Sequence, residues 1–108
     1  MRCVMPDGVI IETTDPDGRR VLLDAHGLGH VLRNHGELAG YERAIMDTVR
    51  TPDHRDADPT FATRERFYRR GLGPSRWLAV VVDYGTDPAV VITSFGRRAD
   101  PPSWEATS

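Results

Sequence analysis

The stretch Arg76-Trp77-Leu78-Ala79-Val80-Val81-Val82-Asp83-Tyr84 contains a continuous apolar run rich in β-branched valine. Such a run predicts a β-strand that is buried on both faces. On its N-terminal side, residues 64–70 alternate in polarity, which predicts a second strand. On its C-terminal side, turn chemistry at 85–88 leads into a third predicted strand over 89–96. The second half of the chain is therefore predicted to be antiparallel sheet.

The N-terminal part of the chain predicts a β-hairpin. Two β-prone runs, 9–14 and 19–23, flank the sequence Asp15-Pro16-Asp17-Gly18. Proline presets φ at the second position of a turn, and glycine tolerates the positive φ at its end. The two runs are therefore expected to pair through this turn.

A helical hairpin is predicted to follow. Asp24 stands at an N-cap position, and apolar residues at helical spacing predict one helix over 25–35 and another over 37–50. Gly36 is expected to end the first helix, and Pro52 to end the second because the residue before proline leaves the α region. The whole order predicts an α+β fold in a single domain over 1–98, with 99–108 as a flexible C-terminal tail.

Composition excludes several classes of protein. The chain has 108 residues, a net charge of −2 and one cysteine, Cys3, which rules out an internal disulfide framework and a cysteine-rich zinc site. No apolar run is long enough for a membrane helix, and the first residues are not a secretory signal. A cytoplasmic protein without a membrane partner is expected.

Alternation along the predicted strands divides their side chains between two faces. The apolar face, expected to receive the helices, holds Phe67, Leu78, Val80, Val82, Val90 and Ile92. The other face is mixed and holds Arg64, Arg66, Tyr68, Arg70, Trp77, Ala79, Val81, Asp83, Val91, Thr93, Phe95 and Arg97. Two interpretations stay open for the mixed face. In the first interpretation, a second small core under the hairpin contains Trp77, Val81 and Val91. In the second, the face is a shallow binding surface, or ligand floor.

The ligand-floor interpretation uses side chains suited to nucleic acid. Aromatic rings stack on bases, and guanidinium groups bind phosphate oxygens in pairs. Five arginines and one acid lie within the thirteen residues 64–76, so a localised anion site fits better than general polyanion binding. The candidate substrate-binding residues on this face are Arg64, Arg70, Trp77 and Phe95.

The four histidines are the main candidates for acid–base chemistry. His26 and His30 are four residues apart, a spacing that suits a metal, but no third ligand has an enforced position. His35 falls within the apolar arc of the first helix, where a hydrogen-bonded core histidine is the commoner case. His54 follows the second helix in an Asp-rich loop and is expected to be exposed.

Several short motifs occur in an order that resembles a known class of nuclease. They are HVLRNHGEL (30–38), TVRTPD (48–53), RFYR (66–69), WLAVVV (77–82) and VVITSF (90–95). Over 25–98 the chain resembles the small phage and bacterial domains grouped with barnase, EndoU, colicin and RelE nucleases, the BECR class. The resemblance implies two helices followed by a curved antiparallel sheet of three to four strands, in a bacterial, toxin-like RNA endonuclease.

The resemblance also implies roles for individual residues. His30 or His35 would be the acid or base, Arg66 and Arg97 would hold the phosphate, and Tyr68 and Thr93 would orient it. RNA cleavage of this kind needs no metal or other cofactor, because the neighbouring 2′-hydroxyl is the nucleophile. RNA is the expected partner, together with an antitoxin or immunity protein.

Two other functions fit the same residues. The first is a non-catalytic binding module of the same fold, for nucleic acid or a protein partner. It stays open because Gly27-Leu28-Gly29 stands where the class commonly has a tryptophan, and Gly36 where it commonly has a proline. The second is a small-molecule or metal-binding protein that uses His26, His30 and the arginines. The choice of base among the histidines and the oligomeric state are left open.

Overall fold

The computed structural model describes residues 8–102 and Trp104. Six strands and two helices follow one another in mixed order. They are β1 (Val9–Thr14), β2 (Arg20–Asp24), α1 (Ala25–Asn34), α2 (Glu42–Arg50), β3 (His54–Ala57), β4 (Arg64–Arg70), β5 (Trp77–Asp83) and β6 (Ala89–Arg97). The α+β class, the N-terminal hairpin and the three strands of the second half are confirmed.

The sheet differs from the prediction in both strand number and direction. All the strands form one sheet in the order β1-β2-β6-β5-β4-β3, and β2 pairs with β6 in parallel. The prediction of three to four antiparallel strands was wrong for two reasons. The hairpin extends the same sheet through the contact of Val21 and Leu22 with Ala89 and Val90, and a short edge strand forms at His54–Ala57.

Local chemistry sets the bounds of both helices. The Asp24 carboxylate accepts from the Gly27 amide over 2.7 Å, so the predicted N-cap of α1 is confirmed. The predicted second helix over 37–50 was too long. Residues 36–38 form a 3₁₀ turn and Gly40 has a φ of +86°, which a helix does not accommodate, so α2 begins at Glu42. Neither helix in the described part of the chain is long and apolar enough to cross a membrane.

The main core lies between α2 and one face of the sheet. Ile45, Met46 and Val49 of α2 are buried there, together with Val31 of α1. The buried strand residues of this core are Val21, Leu23, Phe67, Leu78, Val80, Val82, Ala89 and Val91.

A β-bulge in β6 changes which of its residues reach this core. Val82 pairs with Val91 but Val81 pairs with Thr93, so Ile92 is the extra residue. The prediction that Val90 and Ile92 face the helices and Val91 the other side was therefore wrong. Val91 enters the main core, and Val90, opposite Asp83, lies on the other face.

The first helix packs closely against β6. A Cβ atom on Gly27 would lie 2.7 Å from the carbonyl oxygen of Val91, so only glycine allows this approach. The contact holds α1 beside the sheet, with His26 and His30 next to Val90 and Ile92.

The sheet face opposite α2, which we call the arginine face, carries Arg64, Arg66, Arg70 and Arg97. A second core cluster lies on it, formed by Tyr68, Trp77 and Ala79 and covered by Phe95 and Trp104. The predicted cluster of Trp77, Val81 and Val91 under the hairpin was wrong, because Val91 belongs to the main core and the hairpin does not provide the cover. Ser103 and residues 105–108 of the predicted tail lie outside the described residues, and its flexibility stays a prediction.

Candidate functional site

Cross-strand register arranges the arginine face in successive rows. One row holds Arg64, Asp83 and Val90, and the next holds Asp56, Arg66, Val81 and Thr93. Two further rows hold His54, Tyr68, Ala79 and Phe95, and then Arg70, Trp77 and Arg97. Every predicted site residue of the strands therefore lies on this face, because directly paired residues and residues two apart share one side of a sheet.

A cleft of about 280 Å³ opens at the first row, between α1 and the sheet. His26 and His30 line it from the helix, and Arg64, Val90 and Ile92 line it from the strands. Both histidines are solvent-exposed. An imidazole of the leading helix and a guanidinium of the trailing strands thus share one open cavity.

Arg64 is held in the cleft by two contacts. Its Nε lies 3.5 Å from Asp83 Oδ2, and its guanidinium carbon lies 4.0 Å from the centre of the Phe61 ring. The Gly85 amide, the Thr63 hydroxyl and Arg64 lower the pKa of Asp83, so this carboxylate is charged at neutral pH. Arg64 is half-buried and keeps part of its donor surface open to the cleft.

Arg66 in the second row is tightly paired. Its Nε donates to Asp56 Oδ1 over 2.7 Å, and this bond is the first cause of the raised pKa of Arg66. Both side chains are about four-fifths buried, with exposures of 20% each. An incoming phosphate must therefore compete with the Asp56 carboxylate for this arginine.

His54 was predicted to be exposed in a loop, and this was wrong. It begins β3, directly opposite Tyr68, and its side chain is only 18% exposed. Its Nε2 lies 3.7 Å from Asp56 Oδ2 and has no hydrogen-bond partner among the described residues. The sequence signal was the spacing His54-Arg55-Asp56, which in a strand puts the imidazole and the carboxylate on the same face.

The third row is the aromatic part of the site. Tyr68 is buried, its ring lies 5.7 Å from that of His54, and burial is the main cause of its raised pKa. Phe95 is half-buried and lies 5.8 Å from the His35 ring. Because α1 ends at Asn34, His35 is its C-cap residue, and its backbone N–H donates to the Val31 carbonyl. The His35 side chain is 34% exposed, so the expectation of a core histidine was wrong.

The last row combines two arginines with Trp77. Arg97 donates from Nε to the Ala99 carbonyl and from Nη2 to the Asp100 carbonyl, at 2.9 and 2.8 Å. Arg70 is exposed, with its guanidinium carbon 5.4 Å from the Trp77 ring. Trp77 itself is fully buried beneath Trp104, so no ring face is free for a base while Trp104 is in place.

No metal cluster is found in the part of the chain that the structure describes. No three side chains among its His, Cys, Asp and Glu residues are placed to hold an ion together. His26 and His30 line the cleft with Asp24, whose carboxylate is engaged as the cap of α1.

Comparison of the chain with protein-family models, with curated proteins and with solved structures found no match.

Proposed function

We propose that this protein is a metal-independent endoribonuclease, toxin-like and of the BECR class. The observation that supports it is the shared cleft, in which His30 of α1 and Arg64 of β4 line the same 280 Å³ of open space. An imidazole can transfer protons near neutral pH, and a guanidinium binds the phosphate that the reaction charges.

The reaction needs a base, an acid and a cationic donor, and the cleft contains exposed imidazoles on α1 and a guanidinium on β4. The 2′-oxygen of the RNA attacks the adjacent phosphorus while a base takes its proton, and the 5′-oxygen leaves with a proton from an acid. His30 is the proposed proton-transfer group at the cleft, and Arg64 the proposed donor to the pentacovalent phosphorane. The products are a 2′,3′-cyclic phosphate and a free 5′-hydroxyl.

The remaining rows extend the proposed RNA site away from the cleft. Successive rows of a sheet face are about 6.6 Å apart. A single-stranded RNA that lies parallel to the β-strands therefore meets the row of Thr93 and Arg66 first and the row of Phe95 next. Phe95 and His35 supply half-buried rings for stacking. Such a surface suits unpaired bases better than a duplex.

The cleavage test uses single-stranded RNA in EDTA, with 2′,3′-cyclic phosphate ends as the readout. We expect fragments with wild-type protein and at least about a hundredfold loss of rate in His30→Ala, in line with general acid–base catalysis. His26→Ala, on the same cleft wall, shows whether the two histidines share the role. RNA with a single 2′-deoxy nucleotide should resist cleavage at that position. Intact RNA at high concentrations of folded protein would overturn the proposal.

A non-catalytic RNA-binding module is the second candidate, and one observation favours it. Arg64 and Arg66 both face carboxylates, Asp83 and Asp56, which weakens any phosphate clamp. The salt dependence of RNA affinity tests the binding surface separately from cleavage. Arg66→Ala should reduce the salt slope by about one, whereas Arg69→Ala, next to Thr51 on the opposite face of β4, should not. Binding with this pattern and no cleavage would support the module.

A further inference from the structure

The C-terminal residues Ala99, Asp100, Pro101 and Trp104, which we call the C-terminal cover, lie against the last rows of the arginine face. Trp104 lies edge-on to Trp77, with ring centres 5.0 Å apart and planes at 75°. Its ring is also 5.9 Å from His54, at 87°. An aromatic side chain of the protein itself therefore occupies the aromatic part of the proposed RNA site.

Oxygen atoms of the same cover occupy the nearby donors. Asp100 Oδ1 accepts from Trp77 Nε1 over 3.1 Å and lies 3.9 Å from Arg76 Nη2. The carbonyl oxygens of Ala99 and Asp100 accept from Arg97. The Asp100 carboxylate and the two carbonyl oxygens thus occupy donors of Trp77, Arg76 and Arg97. Without the cover, these donors would be open to an anion.

The contacts of the cover correspond to those of one nucleotide. The indole of Trp104 is a flat bicyclic ring like a purine, and the Asp100 carboxylate, like a phosphate, binds to N–H and guanidinium donors. Beneath the indole, His54 Nε2 is buried without a partner among the described residues and can hydrogen-bond a base edge. The cover is also partly open to solvent, since the Asp100 side chain is 49% exposed and Trp104 is half-buried, whereas Pro101 is buried.

We propose that the C-terminal cover occupies a nucleotide subsite, and that single-stranded RNA displaces it. A base takes the place of Trp104 beside Trp77 and His54, and a phosphate takes the place of the Asp100 carboxylate beside the Trp77 indole N–H and Arg76. Displacement also frees the Arg97 donors from the Ala99 and Asp100 carbonyls. The proposal rests on the proposed function for the identity of the ligand. The covered form cannot bind at this subsite. The apparent affinity is therefore the intrinsic affinity multiplied by the fraction of molecules that are uncovered.

The first test measures binding of a 2′-O-methylated single-stranded oligonucleotide, which cannot be cleaved through the 2′-oxygen. Trp104→Ala and Asp100→Asn should each tighten the Kd by at least about fivefold, because they remove the competing ring or carboxylate. Trp104→Phe keeps a ring in place and should stay closer to wild type. Asp47→Asn on α2 removes the same charge from the opposite side of the sheet and should change the Kd little.

The second test follows the two indole N–H signals of the wild-type protein by NMR. Trp104→Phe assigns them, because the chain has two tryptophans. The Trp104 signal should move to the position of a solvated indole as the oligonucleotide is added. A separate titration with AMP shows whether a free nucleotide has the same effect. This measurement needs no destabilised variant, so a structural role of Trp104 cannot be mistaken for displacement.

The outcomes separate this proposal from the proposed function. Unchanged or weaker binding in folded Trp104→Ala and Asp100→Asn, with a Trp104 signal unmoved by the oligonucleotide, overturns the nucleotide subsite whether or not RNA is cleaved. Tighter binding and a displaced Trp104 support the subsite even where cleavage assays are negative, and then only the nuclease function fails.

Discussion

Asp56 and Arg66 face each other across β3 and β4, with Asp56 Oδ1 accepting from Arg66 Nε over 2.7 Å. The same carboxylate reaches towards His54, whose Nε2 is 3.7 Å from Asp56 Oδ2. The Asp56 carboxylate therefore lies between Arg66 and His54, which occupy the middle rows of the arginine face. It limits what either group can offer to an anionic ligand.

Replacing this acid should expose the arginine to phosphate. In Asp56→Asn the amide keeps the size of the side chain but not its charge, so Arg66 is freed from the ion pair. We expect tighter binding of single-stranded RNA, because a phosphate no longer competes with the Asp56 carboxylate for Arg66. Fluorescence anisotropy at a fixed salt concentration measures the Kd. A Kd equal to that of Asp47→Asn would show that Arg66 does not meet phosphate.

Two glycines in α1 should respond oppositely to alanine. Gly27→Ala puts a Cβ 2.7 Å from the Val91 carbonyl, so α1 must move away from β6, and we expect a loss of about 1–3 kcal/mol in the free energy of unfolding. Gly29→Ala meets only Arg33 Nη1 at 3.3 Å, the end of a flexible side chain, and should gain up to about 1 kcal/mol. Urea denaturation of both variants checks this. Equal effects would mean that the close approach to β6 is not what requires glycine.

The buried Asp15 carboxylate should be a main support of the hairpin turn. It accepts from the Asp17 and Arg19 amides at 2.9 Å and from the Tyr84 hydroxyl at 2.6 Å, and it lies 3.5 Å from Arg55 Nη2. Asp15→Ala leaves these donors without their acceptor, so we expect a loss of about 3 kcal/mol in unfolding free energy.

Asp17→Ala is the matched control for that substitution. Asp17 also pairs with Arg55, at 2.8 Å, but its side chain is 66% exposed, so its removal should cost at most about 1 kcal/mol. Chemical denaturation of the two variants compares them. Similar losses would contradict the assignment of the stabilisation to the buried carboxylate.

Stability should fall at alkaline pH through Tyr84. Burial and the neighbouring Asp15 carboxylate raise the pKa of Tyr84 well above its ordinary value. Its contribution is therefore complete below pH about 10, where an unfolded tyrosine keeps its proton, and is lost as pH rises towards the folded pKa. Tyr84→Phe should be less stable than wild type at neutral pH and show a shallower alkaline decline. Parallel pH profiles of the two proteins would refute this.

Much of the candidate site could be predicted because strand alternation is a local property. Arg64, Arg66, Tyr68 and Arg70 share one face of β4 as their spacing requires. His54 was missed because the run His54–Ala57 has little β-propensity of its own and forms a strand only by pairing with β4. The bulge at Ile92 likewise reversed the expected faces of Val90 and Val91, since a bulge depends on the partner strand.

Short-range signals were enough to predict the hairpin, the cap of α1 and the strands of the second half. Their signals, turn residues and hydrophobic periodicity, lie within short windows of the chain. Three long-range contacts became visible only in the folded molecule: β2 pairs with β6 in parallel, His30 shares a cleft with Arg64, and Trp104 lies against Trp77. These contacts join residues distant in the chain, and their free energy comes from surfaces that exist only after the sheet has formed.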